Sequence, residues 1–223
     1  GKINATGGIA QARGVRVWRY LPKVIHPDVR QWVKNAVQAG TGKNGKLVLK
    51  GDLDKFPFKN DSDGIFKITA QAHDAVLEYA PGWPKLEKIT AQMDFGLGMK
   101  ISSNAAEILG TKISNASAEM PDFTVADEIL FASGKASGAT QRFLQFIDEA
   151  EEIKRKTEGL TAKMRAQGSG TLDLALQLPV RHLQDAKVKG RFDFKNNTIR
   201  ILPTLPEVKN AAGSVFFTES GVQ

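Results

Sequence analysis

KITAQMDFGLGMKIS, residues 88–102, alternates apolar and polar side chains over its whole length. Ile89, Ala91, Met93, Phe95, Leu97, Met99 and Ile101 fall on one face of an extended chain, and Thr90, Gln92, Asp94, Gly96, Gly98 and Lys100 on the other. Successive side chains of a strand point to opposite faces, so a period of two specifies a strand with one buried face. GTLDLALQLPV, residues 170–180, repeats the pattern with Leu172, Leu174, Leu176, Leu178 and Val180. Weaker copies place Phe66, Ile68, Ala70, Ala72 and Val76 together, and Val188, Phe192 and Phe194 together. KISNASAEM (112–120), EILFASGKASG (128–138), NTIRILP (197–203) and GSVFFTES (213–220) are further strand candidates. Gly-Lys, Asp-Gly and Asn-Asn pairs read as the turns between strands.

Two stretches change period. In HPDVRQWVKNAVQAG, residues 26–40, Val29, Trp32, Val33, Ala36 and Val37 recur at helical spacing. This predicts a helix over 27–39, with Pro27 in its first turn and Gly40 as its C-terminal cap. TQRFLQFIDEAEEIKRKTEG, residues 140–159, predicts a second helix running to 156 and stopped by Gly159. Thr140 fits its N-cap, and Phe143, Phe146, Ile147, Ala150 and Ile153 form its apolar stripe. Glu151–Arg155 and Glu152–Lys156 are i,i+4 pairs in the favourable order.

These elements imply a mainly β chain: a long twisted antiparallel sheet, curled into a half-open groove, with two short helices packed on it or plugging it. No low-complexity linker divides it, so residues 1–223 read as one continuous β-rich unit. The strands outnumber what two short helices cover. The apolar face therefore needs another sheet, a helix or an apolar ligand against it.

Composition narrows the function. The net charge is +7, but the lysines are scattered between apolar strand positions, with no Arg-rich run, so a solvated strand face is favoured over a nucleic-acid site. There are no cysteines, which removes disulfides, thiolate metal sites and cysteine nucleophiles together. No window of about 18 apolar residues is present to cross a membrane as a helix. The chain opens abruptly at GKINATGG without an initiator Met, as expected of a segment of a longer protein.

GTGKNGKL, residues 40–47, carries the glycine and lysine skeleton of a phosphate-binding loop. Such a loop follows a strand, opens a helix and places Ser or Thr after its lysine. Here Leu47 follows Lys46, a helical pattern comes before and a strand after. The glycines are read as a helix cap and an Asn44-Gly45 turn, and no nucleotide is expected.

His26, His73 and His182 lack metal spacing. His26 reads as a neighbour of the helix start, and His73 and Asp74, adjacent in a strand, point apart. Asp148, Glu149, Glu151 and Glu152 lie on the polar side of the second helix, with basic residues one turn on. Ser102, Ser103 and Ser133 lack a nucleophile-elbow context. No catalytic residue, metal ligand or cofactor is assigned.

YAPGWPKLEKI, residues 79–89, is a rigid aromatic turn: either a strand connection under its own aromatics or the lip of an apolar groove. With RYLP (19–22), the Trp32 helix, GDLDKFPF (51–58), GIFKI (64–68), YAPGWPKLEKITAQMDF (79–95), AEMPDF (118–123), ASGKASGATQRFLQFI (132–147) and GSGTLDLALQLPV (168–180), it resembles the central region of YhdP-type proteins of the AsmA-like superfamily. The P-G-W-P turn followed by the alternating strand is the most specific part.

That resemblance implies a segment of a long periplasmic protein of Gram-negative bacteria, anchored in the inner membrane by a part absent here. It implies a curled β-sheet that carries phospholipid between inner and outer membranes and supports the outer-membrane barrier. It supplies no catalytic residues. The expected partners are phospholipid acyl chains, not nucleic acid, with membrane contact only through absent parts. Met93, Phe95, Leu97 and Met99 are the leading candidates to line the lipid path, with Leu174, Leu176 and Leu178 second, on a facing wall. The competing reading is an envelope β-sandwich that binds a protein partner and no lipid.

One expectation is testable directly. Lys46→Ala should change unfolding free energy by no more than about 0.5 kcal/mol. Calorimetric titration with Mg-ATP should give no binding; micromolar binding lost in that variant would contradict the cap-and-turn reading.

Overall fold

The computed structural model describes residues 1–21 and 27–222, so His26 and Pro22 lie outside the described residues. Eleven strands form one sheet in chain order: β1 Lys2–Arg13, β2 Val37–Asp52, β3 Gly64–Leu77, β4 Leu86–Phe95, β5 Met99–Ile108, β6 Thr111–Met120, β7 Ile129–Ala139, β8 Arg165–Pro179, β9 Lys187–Arg200, β10 Val208–Thr218 and β11 Gly221–Val222. Every neighbouring pair is antiparallel. The sheet is not closed: β1 and β11 are its two ends. The helices are α1 Pro27–Ala36, α2 Thr140–Glu149, α3 Glu151–Lys156 and α4 Leu160–Lys163. The mainly β, open antiparallel architecture is the one the alternation implies.

Register carries the alternation from strand to strand. Ala70 opposes Met93, Met93 opposes Ile101, and Ile101 opposes Ala118. Ala118 opposes Ala132, Ala132 opposes Leu176, and Leu176 opposes Val188. Directly opposed residues share a face, so this is one apolar row crossing from β3 to β9. A parallel row runs Ala106, Ile113, Ala136, Leu172, Phe192, Val215 from β5 to β10. A third runs Leu47, Ile68, Phe95, Met99, Met120 from β2 to β6.

The other face is charged. Lys67 pairs with Asp94 at 2.8 Å, Lys100 with Glu119 at 3.8 Å, Lys135 with Asp173 at 2.7 Å and Arg191 with Asp193 at 2.9 Å. These pairs are exposed, so each contributes at most about 1 kcal/mol. They assign this face to water.

Several local expectations are corrected. The continuous strand over 89–101 is a hairpin: β4 ends at Phe95, β5 begins at Met99, and Gly96 donates to Gly98 O at 2.9 Å. A Cβ on Gly98 would fall 2.0 Å from the Met120 carbonyl, so only glycine lets the turn lie against β6. Phe95 opposes Met99 and Met93 opposes Ile101 across the hairpin. Folding back thus keeps the alternating set on one face.

Asn44-Gly45 is not a turn, and Gly40 is not a helix cap. α1 ends at Ala36, short of the expected 39, and β2 runs through both sites. Asn44 has φ 53°, and the β2–β3 register shifts between Lys43 and Lys46, which is a β-bulge. Asn196 likewise has φ 58° inside β9, which joins the two separate strands expected there. Asp74, Lys88, Asn115 and Asn210, all at positive φ, sit at register shifts of β3, β4, β6 and β10. Bulges bend their strand and increase its twist, so a series of them coils the sheet.

The second helix is broken. Ala150, at ψ 94°, separates α2 from α3, and Thr140 is the first helical residue, preceded by Ala139 without a side-chain cap. What fixes the start of α2 is Asn197, fully buried, whose Nδ2 donates to Thr140 Oγ1 at 2.8 Å. Gly168, at φ 103°, leaves room for it; a Cβ there would lie 1.7 Å from Asn197 Oδ1.

Gly168→Ala should therefore destabilise the fold by about 2 kcal/mol or more, combining left-handed strain with a clash. Gly7→Ala, with nothing within 4 Å of the added Cβ, should stay within about 0.5 kcal/mol. Urea midpoints of the two variants test the contrast.

Candidate functional site: an open apolar face

The apolar face is not sealed. Among the described residues the buried apolar ones are Ala36, Phe58, Ala91, Ala106, Met120 and Ala150, mostly small. The accessible surface is 14125 Å² for 24.3 kDa. A compact monomer of that mass exposes about 10,000 Å². The excess is what one uncovered sheet layer produces.

Partial cover comes from both ends of the strands. At the end where β3 turns into β4, the Trp32 indole of α1 donates to the Tyr79 carbonyl at 3.2 Å. Tyr79 meets Trp83 edge-on at 6.0 Å, and Trp83 meets Phe146 of α2 at 5.8 Å. Phe143 of α2 packs on Phe192 at 4.8 Å, and Phe192 stacks on Phe194 at 5.9 Å. Phe192 belongs to the second apolar row, so the expected stripe of α2 does turn onto the sheet, where the helix packs against β7 and β8. An aromatic chain thus links α1, the P-G-W-P turn and α2 across the strand ends. Burial pushes the Tyr79 hydroxyl up to about 12, so it stays neutral at physiological pH.

At the opposite ends, Phe56 and Phe58 fold back over β2 and β3. Phe56 contacts Phe66 at 5.4 Å and Phe58 at 5.6 Å. Phe58 is buried where side chains on Gly51 or Gly64 would meet its ring.

Between these covers lie the residues singled out from the sequence. Met93, Phe95, Leu97, Met99, Leu174, Leu176 and Leu178 are all half-buried. Met93, Phe95 and Met99 share the apolar face with Leu176 by unbroken register, and Leu174 and Leu178 alternate with it on β8. They lie on one continuous sheet face, the two sets three to four strands apart. Leu97 is in the hairpin turn, at the rim, where its carbonyl accepts from Phe123 N at 2.9 Å. The bridging role of Trp32 and Phe146 was not legible in sequence, because it joins residues far apart along the chain.

Two of the four acidic residues of the second helix have local partners: Thr161 donates to Asp148 at 2.5 Å and Gln145 to Glu149 at 2.6 Å. No group of three or more metal-ligating side chains occurs among the described residues.

An open, single-layer antiparallel sheet with one continuous apolar face places the chain among the groove-forming β proteins. A family model described as YhdP protein matches residues 1–223, and the chain belongs to that family. It is 27% identical over 229 residues to the intermembrane phospholipid transporter YhdP of Escherichia coli (strain K12). The match covers 99% of this chain and 17% of that protein, so the chain spans about a sixth of the relative's length. No solved structure matches the chain.

The packing of α2 makes a prediction. Phe143→Ala should weaken its docking by about 1–3 kcal/mol. Amide exchange over 140–149 should speed up while β4–β6 exchange at the parent rate.

Proposed function

We propose that this chain is one stretch of a phospholipid path between the inner and outer membranes of a cell envelope, in which acyl chains lie on the open apolar face while headgroups stay in water. The path runs over Met93, Phe95 and Met99, past Leu97 at the rim, and over Leu174, Leu176 and Leu178. The single observation that carries the reading is the in-register apolar row from Ala70 to Val188, on a sheet that has no second sheet beside it among the described residues. The similarity to an intermembrane phospholipid transporter supports the same substrate. A β-sandwich has two opposed sheets; among the described residues the strands form one, which favours the open-face reading.

The physics suits transport. Each buried CH₂ of an acyl chain contributes about 0.8 kcal/mol, so a chain of ordinary length binds strongly without any polar contact. A floor of Met, Leu, Phe, Ile and Ala gives similar affinity at successive positions, and a lipid then meets no deep trap. Met93 and Met99 are unbranched and adapt to a fluid ligand. The protein acts in the periplasm, with the longer chain held at the inner membrane, and contributes to the outer-membrane barrier.

Photocrosslinking from position 95 or 97 tests this. Lipid adducts are expected from both, above a control at Gln92, whose side chain points to the polar face. A folded protein giving no more adduct than that control would contradict the reading. Leu97→Asp should leave the fold intact, since the rim carboxylate reaches water, whereas in a dry core an unpaired charge costs several kcal/mol.

A further inference from the structure

The segment joining β1 to β2 carries a second feature that the apolar face does not use. Gly14–Tyr20 is a 3-10 helix, and α1 packs against it. The 3-10 helix holds Arg16 and Arg19, α1 holds Arg30 and Lys34, and Arg13 ends β1 just before them; none of these five forms an ion pair among the described residues. On the polar face some lysines are matched by carboxylates, as at Lys67–Asp94 and Lys135–Asp173, while others such as Lys50, Lys112 and Lys189 form no ion pair among the described residues and stand singly along their strands. Here two of the cations, Arg19 and Lys34, are held by one aromatic ring instead. The Arg19 guanidinium lies 5.4 Å from the Trp18 ring centroid and the Lys34 ammonium 5.1 Å from it. Such contacts position a cation while leaving its charge unneutralised and its N–H groups free for an acceptor.

The surroundings are amphipathic. Val15, Val17 and Trp32 are exposed beside these cations. α1 ties the patch to the apolar face, because Lys34 reaches Trp18 on one side while the Trp32 indole bonds to the Tyr79 carbonyl on the other. A ligand with an anionic head and an apolar body fits both parts at once: the head at Arg16, Arg19 and Lys34, the body running past Trp32 and Trp83 onto the sheet. Arginine in particular matches phosphate oxygens in pairs.

We propose that the 3-10 helix and α1 form a headgroup site for anionic phospholipid, which makes this stretch of the path prefer lipids of net negative charge over zwitterionic ones. The inference rests on the acyl-chain reading above and adds headgroup selectivity to it. A surplus of unpaired cations attracts a net anion, whereas a zwitterion's own ammonium offsets its phosphate. The attraction is between exposed groups and is screened by salt.

The test is calorimetric titration of the protein with monomeric dioctanoyl-phosphatidylglycerol and dioctanoyl-phosphatidylcholine, which have identical chains. At low salt the phosphatidylglycerol should bind about tenfold more tightly, and the gap should narrow in 0.5 M salt. The combined variant Arg16→Gln, Arg19→Gln, Lys34→Gln should lower the phosphatidylglycerol affinity to that of phosphatidylcholine. A charge-matched control, Lys67→Gln, Lys100→Gln, Lys135→Gln on the polar face, should keep the preference. Equal affinities in the parent protein, or a preference that survives the patch variant, would overturn the headgroup site and leave the acyl-chain reading standing. Binding of inorganic phosphate or glycerophosphoglycerol as tightly as the whole lipid would overturn it in favour of a free-anion site. Binding only to phosphatidylglycerol vesicles, and to neither monomeric lipid, would overturn it in favour of a membrane-docking surface. Failure of both lipids to bind in any form would remove the acyl-chain reading, and the headgroup site with it.

Discussion

The register of the antiparallel ladder is the constraint on which everything else depends. A slip of one residue between two strands would turn the whole apolar set of one of them toward water. From β3 to β9 no such slip occurs along the row Ala70, Met93, Ile101, Ala118, Ala132, Leu176, Val188. The continuous apolar face exists because each pairing agrees with the next. Ion pairs such as Lys67–Asp94 and Lys135–Asp173 add little stability, but they penalise the flipped register by placing charge on the apolar side.

Register has to be held while the sheet bends, and the bulges reconcile the two demands. Each inserts a residue in the left-handed region and absorbs the local change in spacing, after which the strands pair again. Asn and Asp occupy most of these sites because their side chains tolerate that conformation best after glycine. The helices and the aromatic chain from Trp32 to Phe146 then cover part of a face that no second sheet covers among the described residues. Cover by single elements leaves most of the apolar side chains half-buried, a state that is unfavourable in water unless something else contacts them.

The sequence made the strands, their faces and the openness of the sheet legible, because alternation is a local signal. It also made α2 legible as an amphipathic element with Phe143 and Phe146 inward. It did not distinguish a turn from a bulge. Asn44-Gly45 and Asn196-Asn197 carry the same residues that tight turns use, since both features need positive φ, and only pairing with a neighbouring strand separates them. The opposite error occurred at Gly96-Leu97-Gly98, where strict alternation concealed a hairpin. There Gly98 is required by the close approach of Met120 O, which is a long-range contact. Leu176 and Met93 share one face by register, but how far that face curls is not written in any one strand.

The central claim is that one face of this sheet is apolar yet accessible. The chain has no cysteines, so a single spin label at Leu176→Cys, with Ala175→Cys as its neighbour on the polar face, reports on each face separately. Collision accessibility to oxygen and to a water-soluble nickel chelate is the measurement, made before and after adding phospholipid. The account predicts that both labels are accessible without lipid, and that lipid lowers nickel access and raises oxygen access at 176 but not at 175. A label at 176 sealed from both reagents without lipid, and unchanged by it, would mean that the face is a closed core and would contradict the account.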